Sequence, residues 1–177
     1  VSMTSESFPS ELLSGVGVTF DGGGVSVDSA ASLRAVAVGP GYFDALGVDP
    51  IAGRTFSRGR ADTTGFVVNR AGYERIVGQM PEPPASMRRG IGRTMLANWR
   101  TRVEGPLRGV VENVHLATLH EQVEPTVFFY DPELIDTYVV RLSGGSVDQT
   151  LNAVEATWER VFPQWPFQYQ FADQAFD

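Results

Sequence analysis

"LRGVVENVHLATLHEQVEPTVFFY", Leu107 to Tyr130, sets two apolar runs on either side of a polar passage. The only two histidines of the chain, His115 and His120, fall in that passage, five positions apart and close to Glu112, Glu121 and Glu124. On a helix, residues three or four apart share a face, whereas five positions turn two side chains about 140° from one another. His115 and His120 would therefore not converge on one ion, and the two-histidine helix motif of metalloproteases is missing. The passage reads as a capped turn between two strands, "LRGVVENV" and "TVFFY". It is given no catalytic, cofactor-binding or metal-binding residue.

Outward from this stretch the same kind of pattern continues. "TYVVRL" (Thr137 to Leu142) is a third strand. A helix follows, with Ser146 and Gln149 in capping-box spacing and Leu151, Val154, Trp158, Val161 and Phe162 along one stripe, until Pro163 stops it. This helix is expected to cover a sheet. "FQYQF" (Phe167 to Phe171) alternates aromatic and amide side chains and is expected to be a fourth strand, covered on one side only. Toward the N-terminus, "GFVV" (Gly65 to Val68) is a buried strand. Asn69 then caps a helix from Arg70 to Val77, with Gly78 closing it. "LRAVAV" (Leu33 to Val38) is a strand, and "GPGYFDALG" holds one short helix whose Tyr42, Phe43 and Leu46 pin it to the strands. Val16, Val18 and Phe20 alternate, "DGGG" (Asp21 to Gly24) turns the chain, and Val25 and Val27 resume, which predicts a hairpin. "DGGG" lacks the helix and lysine of a phosphate-binding loop.

The chain has 177 residues, enough for one ordinary domain or two small lobes, with 42% hydrophobic and 11% aromatic content. Its 19 glycines and 11 prolines predict many turns and short elements, hence mixed α and β structure. A formal charge of −7 disfavours nucleic acid or an anionic lipid surface as the main partner. All 14 basic residues are arginine, and a cluster at positions 88, 89, 93, 100 and 102 reads as a solvated hairpin or subdomain edge before an anion site. With no cysteine there is no disulfide framework, thiol nucleophile or thiolate metal site. No apolar run approaches the ~20 residues that span a bilayer. The serines at 2, 5, 7, 10 and 14 lie in an irregular start, no G-x-S-x-G elbow is present, and Glu155 and Glu159, beside Arg160, read as a solvated helix face before a hydrolytic carboxylate pair.

Five blocks carry a resemblance in order. They are "VGPGYFDALGVDPIAGRTFS" (Val38 to Ser57), "FVVNRAGYERI" (Phe66 to Ile76), "IGRTM" (Ile91 to Met95), "GVVENVHLATLHEQVEPTVFF" (Gly109 to Phe129) and "TLNAVEATWERVFPQWPFQYQFADQAFD" (Thr150 to Asp177). Their succession resembles the extracytoplasmic domain of FtsX-like ABC transporter permeases, the MacB-type periplasmic core domain, and covers about three quarters of the chain. The run from Trp158 to Asp173 is the most specific part, while Gln79 to Gly105 departs from the pattern by its length and its proline and tryptophan content.

The resemblance implies an α+β fold, a porter-like α/β lobe (a sheet covered by helices) with an inserted, mainly β lobe. Residues 1–14 with 107–177 are assigned to the first lobe and 15–106 to the second, within a single periplasmic core domain, 1–177. It further implies a non-enzymatic domain at the bacterial inner membrane, on the periplasmic side, with membrane helices flanking it. The implied partners are a cytoplasmic ATPase subunit, a second permease copy and a periplasmic partner protein, with no cofactor. Two alternatives stand behind it: an extracytoplasmic ligand-binding or sensory module, which needs an apolar pocket between lobes, and a small hydrolase, which needs His115 or His120 beside a serine or carboxylate.

Overall fold

A computed structural model of the protein describes residues 2–4, 15–22, 26, 30–56, 64–99, 101–113, 123–135, 137–142 and 146–171. Strands are β1 (Ser2–Thr4), β2 (Val16–Phe20), β3 (Ala31–Ala37), β4 (Pro50–Gly53), β5 (Phe66–Asn69), β6 (Thr94–Trp99), β7 (Thr101–Val111), β8 (Thr126–Phe129) and β9 (Thr137–Val139). Helices are α1 (Tyr42–Leu46), α2 (Arg70–Val77), α3 (Met87–Gly90) and α4 (Val147–Val161), with a short 3-10 turn at Pro132–Leu134.

Seven strands form one sheet in the order β4-β7-β5-β8-β3-β2-β6, and β6 pairs again with β7. The pairings therefore return to β7, which is long enough to pair with three strands, β4 among them (Gly53 opposite Gly109). Its first half runs antiparallel to β6 (Thr94 opposite Pro106, Trp99 opposite Thr101), and its second half runs parallel to β5 (Phe66 opposite Leu107, Asn69 opposite Val111). Closing a sheet in this way leaves few unpaired strand edges. β1 and β9 form a separate two-stranded antiparallel sheet with Met3 opposite Tyr138.

Strand alternation distributes the apolar runs to two cores. Leu33 and Ala35 of β3, Phe66 and Val68 of β5 and Val127 of β8 join one cluster with Phe20, Met95 and Leu107. Their neighbours Val36, Val67 and Phe128 join the other, with Tyr42, Phe43, Phe56 and Val111. Side chains on successive strand residues point to opposite faces, so a run without polar interruption marks a strand buried on both sides. α2 covers the first face with Tyr73 and Ile76, and α1 covers the second with Tyr42 and Phe43. The rings of Phe43 and Phe128 meet edge to face at 5.0 Å.

Asn69 ties α2 to this sheet. It is buried, and its Oδ1 accepts from the Gly72 N–H at 2.8 Å and the Thr126 N–H at 2.9 Å, while its Nδ2 donates to the Glu124 carbonyl at 2.8 Å. One side chain thus caps a helix and anchors the entry of β8. α1 ends as expected, with Gly47 left-handed at φ 71°.

β2 pairs with β3, Val16 opposite Leu33, while Val25 and Val27, expected to resume the hairpin, lie outside the described residues. Two expectations change. The segment around Arg93 is a hairpin, but its first strand is core, with Met95, Leu96 and Ala97 buried. "FQYQF" is not a strand: none of Phe167–Phe171 pairs with any described strand. β7 runs through residue 107, and its second half and β8 share a sheet with β2–β6.

Candidate interaction surface

Outside the seven-stranded sheet stand β1, β9, α4 and the segment 162–171 that follows the helix. β9 alternates, with Val139 packed on the Tyr42–Phe43–Phe128 core while Tyr138 and Val140 are exposed on the opposite face. β9 therefore touches both the main core and α4. Tyr138 meets the Trp158 ring of α4 edge to face at 6.3 Å.

α4 starts where its sequence says it should, the Ser146 hydroxyl accepting from the Gln149 N–H at 3.4 Å. Its apolar stripe does not cover a sheet as expected: none of its residues is buried. The reason is size. A 15-residue helix is ~22 Å long, whereas a strand of three residues spans ~10 Å. What α4 does bind is its own continuation. Trp158 packs on Phe162 at 4.8 Å and Phe167 at 6.1 Å, and its Nε1 donates to the Trp165 carbonyl at 2.9 Å. Beyond it the aromatic series continues, Phe167 stacked on Tyr169 at 5.6 Å and Tyr169 edge to face with Phe171 at 5.6 Å. Val161, Trp165 and Tyr169 are each more than half exposed, at 56%, 64% and 59%. Six of the seven large exposed apolar residues among the described ones lie between Tyr138 and Tyr169 in the sequence.

The other residues singled out from sequence are dispersed. His115, His120, Glu121, Arg100 and the serines at 5, 7, 10 and 14 lie outside the described residues, as does the side chain of Ser2. Glu112 is engaged in a bidentate ion pair with Arg70, whose Nε donates to Oε2 at 3.3 Å. The hydrogen bond from Arg70 holds the Glu112 carboxyl below its ordinary value, and the same contact raises Arg70. Glu124 lies 4.0 Å from the buried Arg34 through its carboxylate. Glu155 and Glu159 are exposed on α4, and Tyr42 and Phe43 are core. In the arginine cluster, Arg88, Arg89 and Arg102 are exposed, and Arg93 lies 5.0 Å from the centre of the Phe20 ring. Among the described residues no three histidine, aspartate or glutamate side chains are grouped to hold a metal ion, and no helix is long and apolar enough to cross a membrane.

Sequence reasoning had not singled out Tyr138, Trp165 and Tyr169 as surface residues. Strand alternation in "TYVV" gave Tyr138 a face but not which face was solvated. Trp165 between two prolines, in a stretch free of charge, was the available signal.

No family model matches the chain, and no curated protein matches it. Among solved structures it is similar to the periplasmic region of MacB from Actinobacillus actinomycetemcomitans, with a TM-score of 0.58 at 14% sequence identity, over 97% of this chain and 72% of that one. It is also similar to a domain described as a permease protein from Porphyromonas gingivalis, with a TM-score of 0.55 at 12% identity, over 90% of this chain and 62% of that one. The fold is thus a mixed helix-and-strand one shared with the MacB periplasmic region, as the resemblance in the sequence blocks led us to expect.

Proposed function

We propose that the chain is the extracytoplasmic domain of a bacterial FtsX-like ABC transporter permease, held on the periplasmic side of the inner membrane, with no bond-making chemistry of its own. The observation that carries this reading is the likeness in fold to a transporter's periplasmic region across nearly the whole chain, reached independently of the ordered sequence blocks. In this reading an ATPase subunit in the cytoplasm supplies the work, membrane helices deliver it, and the domain moves as a lever toward a periplasmic partner protein or a second permease copy.

The pairing of β1 with β9 supports such a role. It joins the first and last described strands in one small sheet, so displacement arriving at either one reaches both. From β9 it passes by Val139 to the main core and by Tyr138 to α4. We divide the domain accordingly, into a larger lobe built on the seven-stranded sheet with α1–α3 and a smaller lobe of β1, β9, α4 and the segment after it.

The chain contains no cysteine, so topology is testable by introducing one. In cells making the full-length protein with Gln164→Cys, at an exposed position, a membrane-impermeant maleimide should label the protein while the inner membrane is intact. Labelling that appears only after the inner membrane is broken would reject an extracytoplasmic site.

A further inference from the structure

We infer that the end of the seven-stranded sheet where Arg54, Arg88, Arg89, Arg93 and Arg108 gather docks on a flat anionic surface, the phosphate headgroups of a membrane. The charge of this chain is unevenly spread. Eleven of its 14 arginines but only four of its 21 acidic residues fall from Arg54 to Arg108, so that stretch carries +7 and the rest of the chain −14. A net charge of −7 opposes an anionic partner only when that partner meets the whole molecule.

The fold brings arginines from three separate segments together. The Leu107 N–H donates to the Arg93 carbonyl at 2.9 Å, and the Arg54 N–H to the Arg108 carbonyl at 2.9 Å. Positions 93, 107–108 and 54 therefore lie on three adjacent chains, ~5 Å from one to the next. They stand where β4 ends and where β5 and β6 begin, at the same end of the sheet. α3 adds Arg88 and Arg89, both exposed. It is held at this end by Tyr73, whose hydroxyl donates to the Ser86 carbonyl at 3.2 Å, and by Ile91, whose Cδ1 would lie 2.9 Å from a Cβ on Gly53. Arg93 lies over the Phe20 ring, and Arg108 donates from Nε to the Thr64 carbonyl at 2.9 Å and from Nη2 to the Thr64 hydroxyl at 3.2 Å. Asp21, bound through its N–H to the Thr94 carbonyl at 2.9 Å, sets one carboxylate at the border of the group.

Charge complementarity selects the occupant. A guanidinium presents a planar fork of donors that matches a phosphate in two contacts, and it keeps its charge at any physiological pH. A membrane plane meets one face of the molecule only, and acidic residues more than ~8 Å from that plane are screened at physiological salt. A nucleic acid long enough to wrap the molecule would meet the −14 remainder as well. The inference stands on the placement of the arginines and does not depend on the transporter reading.

Vesicle binding by the 177-residue chain tests it. At low ionic strength the chain should co-sediment with vesicles made of phosphatidylglycerol and phosphatidylcholine in equal parts, and not with phosphatidylcholine alone. Added salt should release it. Arg88→Gln with Arg89→Gln should weaken partitioning about 30-fold, since each basic residue near an anionic surface contributes about fivefold. Arg141→Gln with Arg160→Gln makes the same change in net charge at exposed positions outside the group and should have little effect. All four positions are exposed, so both double variants should keep the parent's circular dichroism spectrum. Inorganic phosphate, or a short DNA duplex, at the same phosphate concentration as the lipid should leave the chain on the vesicles. Equal binding to both kinds of vesicle, a loss as large in the second double variant as in the first, or displacement by either competitor would overturn the inference.

Discussion

Asn69 shows how one amide can organise distant parts of the chain. Its replacement by alanine leaves the buried N–H groups of Gly72 and Thr126 and the Glu124 carbonyl without their partner. We expect a loss of about 2–4 kcal/mol in urea unfolding. Asn69→Ser keeps a side-chain acceptor for the cap and loses the donor to the Glu124 carbonyl, and should fall between alanine and the parent. The helix cap was legible, since "FVVNRAG" sets an asparagine between an apolar run and a helix. The second role was not, because Glu124 is 55 positions away and local pattern carries no information about such a partner. Gly72 gives a sign test. Alanine in a helix interior is normally better than glycine by about 1 kcal/mol. Here a Cβ would sit 2.8 Å from the Thr126 carbonyl oxygen and 3.0 Å from Asn69 Oδ1, both held in place. Gly72→Ala should therefore lower the melting temperature instead of raising it. For Glu112, whose carboxyl is held low by Arg70, the stabilising contribution is present above the unfolded carboxyl value and is lost as pH falls through the lower folded value. The Glu112 carboxyl should titrate at lower pH in the parent than in Arg70→Gln, as followed by NMR.

Elements separate into those that the sequence specified and those that it only patterned. "AVAV", "FVV" and "TVFF" became β3, β5 and β8 because both of their faces are filled, so period two had no solvated side to reveal. "FQYQF" has the strand alternation and no neighbour among the described strands, and alternation alone cannot supply one. α4 has a well-formed stripe and cap, yet the strand beneath it is too short to bury it. These differences predict unequal stability. Trp158→Ala removes the contacts to Tyr138, Phe162 and Phe167 together with the bond to the Trp165 carbonyl. Hydrogen exchange should then quicken in α4 while β3, β5 and β7 keep their protection. Phe43→Ala, in contrast, empties a fully buried site and should cost about 3–5 kcal/mol of global stability.

At the scale of the whole molecule, a seven-stranded sheet that returns to itself through β7 carries a smaller unit joined to it through β9. The fold class and the likeness to a MacB-type domain were legible from the order of short blocks. The partners of β7 were not, because it is one unbroken strand that pairs with β6, then with β5 and β4, and nothing in "VEGPLRGVV" marks the change. The most direct test of the proposed role is hydrogen exchange on the full-length membrane protein reconstituted with the ATPase subunit that this reading requires, in the ATP-trapped and nucleotide-free states. Protection in β9, α4 and 162–171 should change with nucleotide while the seven-stranded sheet stays constant; an exchange pattern identical in the two states would contradict the account.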